Sequence, residues 1–520
     1  MTASASTSAV PSRPIGPFAG GRIRWFHWLL LAVLLLIGAD FRFTGIGRQS
    51  VWLDEYWTLY LATGRGNQLF DLPNNAIIDS PPDVGFTAAP APWRIWTGLS
   101  TTTHPPLYML ALRAWVDVFG DSDAAIRSLS AVCSLLAVVV IFFLAERIAG
   151  AFAGICAAGI MGFSPSQIDF SQSARPYTLL VLLALLLATG LICVQQSGPT
   201  RLRLLWLAVA TCALALTHYF SIGVTAAALL YAVFCLSGKA RKRAAAAILL
   251  GLLVAALAWG PELVLMRHAM KLYANFYKLP NATWPWLWRA AITTPAQLFL
   301  GGDWSWQSAL PIAVLVYLMP PLLARRAPEM IFWWLWIAIT IGMLLALDIA
   351  RKSGMLTIIR YPFIISPAIY LILATGAAGR WQGKLIAGSA LLCALIFGID
   401  RFQVGFAPMQ DLRGLAGMID QYPGPNDVIA FAGQYPYEPN TDYFVMSHYL
   451  RPWRRPVIFL TEAPSRQTLE ALRKRPGVWM IGRSWIADTQ RLLPGFIPVS
   501  RHGLGVGLEL WQVRPAGGGE

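Results

Sequence analysis

Apolar residues fall in long blocks, such as Leu29–Ala39 and Leu179–Val194, that recur down to about residue 400 and then stop. A membrane-spanning helix needs about 20 mostly apolar residues. On that measure the blocks predict about eleven spans, near residues 25–42, 124–145, 149–167, 177–195, 203–219, 221–237, 244–266, 308–323, 330–348, 361–379 and 384–400. Tryptophan gathers near their ends, as interfacial anchoring requires. The segment His104–Gly120 is nearly as apolar, but a span there would break the charge alternation along the chain, so it reads as a helix lying on the outer surface. Beyond residue 403 the pattern changes. Asp427–Ala432, Pro456–Leu460 and Gly477–Gly482 are short apolar runs that predict buried strands. Ser465 followed by Leu469 and Leu472 predicts a capped amphipathic helix between the second and third of them. The expected architecture is a mainly α, polytopic membrane protein with outer-surface juxtamembrane helices and a small C-terminal α/β domain. Its expected divisions are a disordered N-terminus over 1–21, rich in Ser, Pro, Ala and Gly, a transmembrane domain over 22–403 and the α/β domain over 404–520.

Composition agrees. Hydrophobic residues make up 56% of the 520 and charged residues only 13%, where ordinary globular chains carry about 25% charged. The net charge of +15 would point to nucleic acid in a soluble protein. Here Lys and Arg mark cytoplasmic loops, and the expected partners are anionic lipid head groups and phosphate substrates. With the N-terminus inside, the cytoplasmic pieces hold Arg13, Arg22, Arg24, Arg147, Arg201, Arg203, Lys239, Arg241, Lys242, Arg243, Arg325, Arg326, Arg380 and Lys384, opposed by Glu146 and Glu329. The first outside loop, roughly 43–123, holds eight acids against four arginines. An odd number of spans then places the tail outside. The expected location is a bacterial inner membrane, with the N-terminus cytoplasmic and the C-terminal domain periplasmic. Arg22 and Arg24 before the first apolar run suit a retained signal anchor better than a cleaved signal peptide. The six cysteines all lie in apolar blocks, which predicts buried thiols and no disulfide framework.

Charged groups near a membrane surface are costly, and those without an anchoring duty are functional candidates. Four clusters qualify, all on the predicted outer face. In Val51–Thr58, Asp54 and Glu55 form an acidic pair. Neighbours on a helix point about 100° apart, so one of them faces a reacting group. Asp54 is our candidate general base, with Glu55 structural or assisting. The same pair also fits a solvated helix face. In Thr103–Tyr108, paired prolines set His104 at a helix entrance, with Tyr108 just beyond. In Asp169–Tyr177, Gln172 and Tyr177 flank Arg175, which suits a phosphate or a sugar carboxylate as well as a snorkelling anchor. The fourth joins His218 and Tyr219 with Arg351, Lys352, Arg360 and Tyr361, outside basic residues that run against the positive-inside trend. A leaving phosphate would account for them.

Taken in order, these motifs resemble the GT-C superfamily, specifically the family 39-like membrane glycosyltransferases, which include protein O-mannosyltransferases, lipid A aminoarabinose transferases and rhizobial galacturonosyltransferases. The matching pieces are Asp54-Glu55, Thr-His-Pro-Pro-Leu-Tyr at 103–108, Gly120-Asp121-Ser122 with Arg127, Gln-Ser-Ala-Arg-Pro-Tyr at 172–177, Thr217-His218-Tyr219 and Arg360-Tyr361-Pro362, over roughly residues 25–380. The resemblance implies an inverting transferase that uses a polyprenyl-phosphate sugar and an acceptor that is an envelope glycolipid, polysaccharide or protein. It maps the base to Asp54 and the donor phosphate to Arg175, His218 and Arg360. Some GT-C enzymes need a divalent metal; no extended acidic motif demands one here, and metal use stays open. No nucleotide-binding fingerprint is present. A transporter of lipid-linked sugars shares the hydrophobicity and the outer basic residues, but such proteins more often show internal repeats and broken midplane helices. A non-catalytic assembly protein with the tail as a binding module is the third reading.

Overall fold

The computed structural model describes residues 23–66, 71–99, 104–266, 283–302, 304–317, 328–375, 381–404, 411–433, 438–451, 453–482, 491–503 and 509–516. The disordered segment expected over 1–21 lies outside them. The helices are α1 (Trp25–Phe43), α2 (Leu53–Thr63), α3 (Arg94–Gly98), α4 (Leu107–Phe119), α5 (Asp123–Ala149), α6 (Ala151–Phe163), α7 (Pro165–Ser171), α8 (Tyr177–Ser197), α9 (Arg201–Ala215), α10 (Ser221–Phe234), α11 (Gly238–Leu265), α12 (Trp284–Leu300), α13 (Trp306–Tyr317), α14 (Pro328–Arg351), α15 (Ser366–Thr375), α16 (Trp381–Val404), α17 (Leu412–Gln421), α18 (Glu438–Tyr449) and α19 (Arg466–Arg473).

Six of these, α1, α5, α8, α11, α14 and α16, are long and apolar enough to cross a membrane. The pair α6–α7 would make a seventh if it is one span, bent by 58°. The eleven expected spans are therefore not matched one for one. The block at 149–167 breaks because Pro165 starts a new helix, a position where its missing N–H costs nothing. Within the blocks at 203–219, 221–237, 308–323 and 361–379, the described residues hold α9, α10, α13 and α15. In the last, Pro362 opens a 3-10 turn before Ser366 begins α15. Helix α12, interrupted in sequence by Arg289, Thr293, Thr294 and Pro295, was not foreseen.

The bundle is built around α5, which packs on α6 and α8; α9 then bridges α8 and α11, and α10 bridges α11 and α14. Small residues let these backbones approach. A side chain at Gly154 would meet the Phe142 carbonyl at 2.9 Å, and at Gly398 it would collide with that of Phe163. Arg42, fully buried at the end of α1, ties three helices together. It donates to the carbonyls of Gly38 (2.9 Å), Gly162 (2.8 Å) and Met161 (3.3 Å) and to Ser134 Oγ (2.9 Å). A cation suits the unpaired carbonyls of Met161 and Gly162 at the end of α6.

The sheet has the order β1-β3-β2-β4-β6-β5, from β1 (Ile77–Ile78), β2 (Val428–Ala432), β3 (Val457–Leu460), β4 (Val478–Gly482), β5 (Phe496–Gly503) and β6 (Glu509–Pro515). The central β3, β2 and β4 run parallel and are buried throughout, hence their continuous apolar runs. Ser465 caps α19 by accepting from Thr468 N–H, and Asp411 caps α17 by accepting from Gly414 N–H. One edge strand does not belong to the tail. Strand β1 comes from the loop after α2 and pairs antiparallel with β3. Asn75 fixes it there, exchanging side-chain and backbone hydrogen bonds with Phe459, Thr461 and Glu462.

Candidate functional site

Helix α2 begins at Leu53, so Asp54 and Glu55 sit in its first turn, where negative charge is favoured. They face different surroundings. Glu55 is fully buried. Arg127 of α5 grips it with two bonds, Nε to Oε1 at 2.8 Å and Nη2 to Oε2 at 2.6 Å. The backbone N–H of Ala174 adds a third at 2.7 Å and that of Trp52 a fourth at 3.3 Å. The remaining donors of Arg127 go to the carbonyls of Ile46, Gln49 and Ser50. Glu55 and Arg127 thus hold the entry to α2 on the bundle.

The Asp54 side chain is 25% exposed. Its Oδ2 accepts from Arg360 Nη1, and Arg175 Nη2 stands 4.0 Å away. Arg175 is 5% exposed. Its Nη1 donates to the Asp54 carbonyl and to Thr58 Oγ1, both at 2.7 Å. Its guanidinium lies 5.6 Å from the Tyr177 ring, and its Nη2 donates to the Tyr177 hydroxyl at 3.4 Å. Among the described residues its buried Nε–H has no hydrogen-bond partner, nor does the hydroxyl of Thr178. Buried donors are nearly always paired, which sets this guanidinium apart from that of Arg127. The guanidinium of Arg360 lies 5.3 Å from the Tyr361 ring.

The two histidines lie in the field of these cations. Burial lowers the pKa of His218 to about 3, and Arg175 and Arg360 add to the effect. Burial lowers that of His104 well below the ordinary value, with Arg175, His218 and Arg360 adding to it. Both rings are therefore neutral near pH 7. His218 stacks on Phe220 at 5.2 Å and lies 6.0 Å from Tyr177.

The structure thus brings Asp54, Arg175, Tyr177, Arg360 and Tyr361 to one place, with His104 and His218 beside them. The other candidates lie behind or away from it. Tyr108 is fully buried, its hydroxyl 2.9 Å from Ser130 Oγ, which donates to the Arg175 carbonyl at 3.2 Å. Gln172 donates to the Phe41 carbonyl at 2.9 Å. Tyr219 donates to Met266 Sδ and accepts from Trp259 Nε1. Arg351 and Lys352 are exposed. Sequence reasoning gave no role to Arg127, although its place one helical turn after Asp123 on α5 was there to read. It also missed Asp123, Arg413 and Tyr449, which meet behind α2. Among the described residues no three His, Cys, Asp or Glu side chains come together to hold a metal ion.

Residues 103–263 match the family described as dolichyl-phosphate-mannose-protein mannosyltransferase. Among solved structures the chain is similar to the Archaeoglobus fulgidus oligosaccharyltransferase complexed with zinc and sulfate, at 12% identity and a TM-score of 0.45 over 80% of this chain and 61% of that one. This chain therefore spans less than two thirds of that protein. It is also similar to ArnT from Cupriavidus metallidurans bound to undecaprenyl phosphate, at 14% identity and a TM-score of 0.45 over 94% and 97% of the two chains. A third similarity, to the S. cerevisiae protein O-mannosyltransferase Pmt1-Pmt2 complex bound to the sugar donor, covers 47% and 35% at 14% identity and a TM-score of 0.33. No curated protein sequence gives a significant match.

Proposed function

We propose that this chain, a GT-C superfamily membrane protein with mannosyltransferase-family sequence over residues 103–263, transfers a sugar from a polyprenyl-phosphate donor to an acceptor with inversion at the anomeric carbon. The observation that carries the reading is the pairing of a partly open carboxylate, Asp54, with two guanidinium groups, one of which keeps an unpartnered buried N–H. The acceptor hydroxyl oxygen attacks the anomeric carbon and its proton passes to Asp54. The bond from that carbon to the phosphate oxygen breaks, and polyprenyl phosphate leaves with the electron pair. The donor diester carries one negative charge and the departing phosphate gains another, so cations at Arg175 and Arg360 favour the transition state over the ground state.

Arg360 holds Asp54 in the free site. A donor phosphate competes for that guanidinium and frees the carboxylate to take a proton, so donor binds before acceptor. The reaction sits on the outer side of the membrane, where the acceptor is an envelope glycolipid, polysaccharide or protein.

The test is transfer by purified protein in nanodiscs, with a panel of radiolabelled polyprenyl-phosphate sugars and a membrane extract as acceptor. Label reaching the extract with wild type and not with Asp54→Asn supports the reading and names the donor. No transfer from any donor, together with movement of labelled lipid between leaflets of liposomes, would replace it with transport.

A further inference from the structure

The loop at 44–52 decides where α2, and therefore Asp54, begins. The bundle holds one side of it through Arg127, and the C-terminal domain holds the other. Arg413 Nη2 donates to the Gly47 carbonyl at 2.9 Å, and the Arg413 backbone N–H donates to Ser50 Oγ at 3.1 Å. The Tyr449 hydroxyl, at the end of α18, accepts from the backbone N–H of Val51 at 2.6 Å and donates to Asp123 Oδ2 at 2.9 Å. Val51 is fully buried, so losing the Tyr449 hydroxyl would leave that N–H away from water. Asp123 also receives Arg413 and, through Oδ1 at 3.0 Å, His448 Nε2. It lies four residues before Arg127 on α5, so one turn of one helix anchors both the tail and the Glu55 side of α2. Along α2, Tyr56 and Tyr60 pack on Phe444 of α18, with ring centroids at 5.7 and 4.6 Å.

We propose that Tyr449 is a positioning residue for Asp54, acting through Val51, so that the C-terminal domain is a working part of the reaction centre and not a separate binding module. The catalytic half of this inference rests on the transfer reading above. Misplacing a reacting group by about 1 Å costs on the order of 100-fold in rate. Removing one hydroxyl from the strap acts in this way without touching the donor site.

The test uses full-length Tyr449→Phe, which removes the hydroxyl and keeps the ring that in the wild type lies 5.7 Å from the Arg413 guanidinium. Hydrogen exchange in the peptide spanning residues 46–56 should rise while the unfolding temperature stays close to that of wild type. kcat should fall about tenfold to a hundredfold, with KM for the donor changed by less than about twofold. In an Asp54→Asn background the same substitution should cost nothing further, since there is then no base to misplace. Unchanged exchange at 46–56 overturns the strap. Faster exchange with normal kcat, or an equal loss in the Asp54→Asn background, overturns its link to Asp54. If wild type transfers no sugar at all, the transfer reading falls by itself, and the exchange measurement alone decides whether the tail holds α2.

Discussion

Asp54 and Glu55 are neighbours in sequence with the same chemistry, yet they belong to two different places. The Glu55 side is closed: its carboxylate is fully buried, its oxygens are all used, and the guanidinium facing it has its donors spent on loop carbonyls. The Asp54 side is unfinished, with a partly exposed carboxylate, an unpartnered Arg175 N–H and two histidines that burial and nearby cations keep neutral. Saturation makes the first side rigid and chemically silent. The second keeps a partly exposed carboxylate beside two guanidinium groups. A charge completely satisfied by its own protein has nothing left to offer a substrate.

The largest effect should fall on the open side. Asp54→Asn keeps the shape and removes the base, and transfer should drop about 100- to 10,000-fold with expression and unfolding temperature retained. Near-normal turnover would hand the proton to another group. On the closed side the same class of change should act on folding. Arg127→Met leaves Glu55 buried without its partner, which costs about 3–5 kcal/mol in denaturant unfolding from mixed micelles. If Arg127→Met were as stable as wild type but inactive, Glu55 would have to be moved to the reacting side.

How far this division was legible follows from the residues. The acidic pair, Arg175 and Arg360 were all identifiable as charges on the predicted outer face. Helical geometry said that Asp54 and Glu55 diverge, but not which way each points, because the grip on Glu55 comes from Arg127 and Ala174, far along the chain. The buried parallel strands announced themselves as apolar runs. Strand β1 could not, since two residues held by Asn75 make no periodic pattern. Hydropathy averages over breaks such as Pro165 and Pro362, whose effect is local, so the apolar blocks do not map one for one onto the described helices.

A smaller effect sharpens the open side. Arg360→Gln removes one charge-assisted partner of the proposed phosphate, worth about 1.5–3 kcal/mol. Polyprenyl phosphate should then bind about ten- to a hundredfold more weakly, measured by calorimetry in detergent. Unchanged affinity would return Arg360 to a structural partnership with Asp54.

The smallest effect is a dependence on pH that only the open side should show. His218 titrates near 3 in the folded protein, against an ordinary value of 6.5. Unfolding exposes the ring, so below pH 6.5 the unfolded chain binds a proton that the folded chain refuses. Stability contributed by the neutral ring is complete above about pH 6.5 and declines as pH falls towards 3. Between pH 7.5 and 5 the decline for one such ring is at most about 2 kcal/mol. His218→Asn should therefore unfold at a temperature less sensitive to pH over that range, whatever its stability at pH 7.5, and His104 should account for a further part of the slope. Bound polyprenyl phosphate should flatten the wild-type slope as well, because an anion between Arg175 and Arg360 offsets the cationic field that adds to burial in keeping these rings neutral. An unaltered slope in His218→Asn would mean that the ring is hydrated in the folded protein, and the open side would then lack the dry, cationic character that sets it apart from the pocket of Glu55.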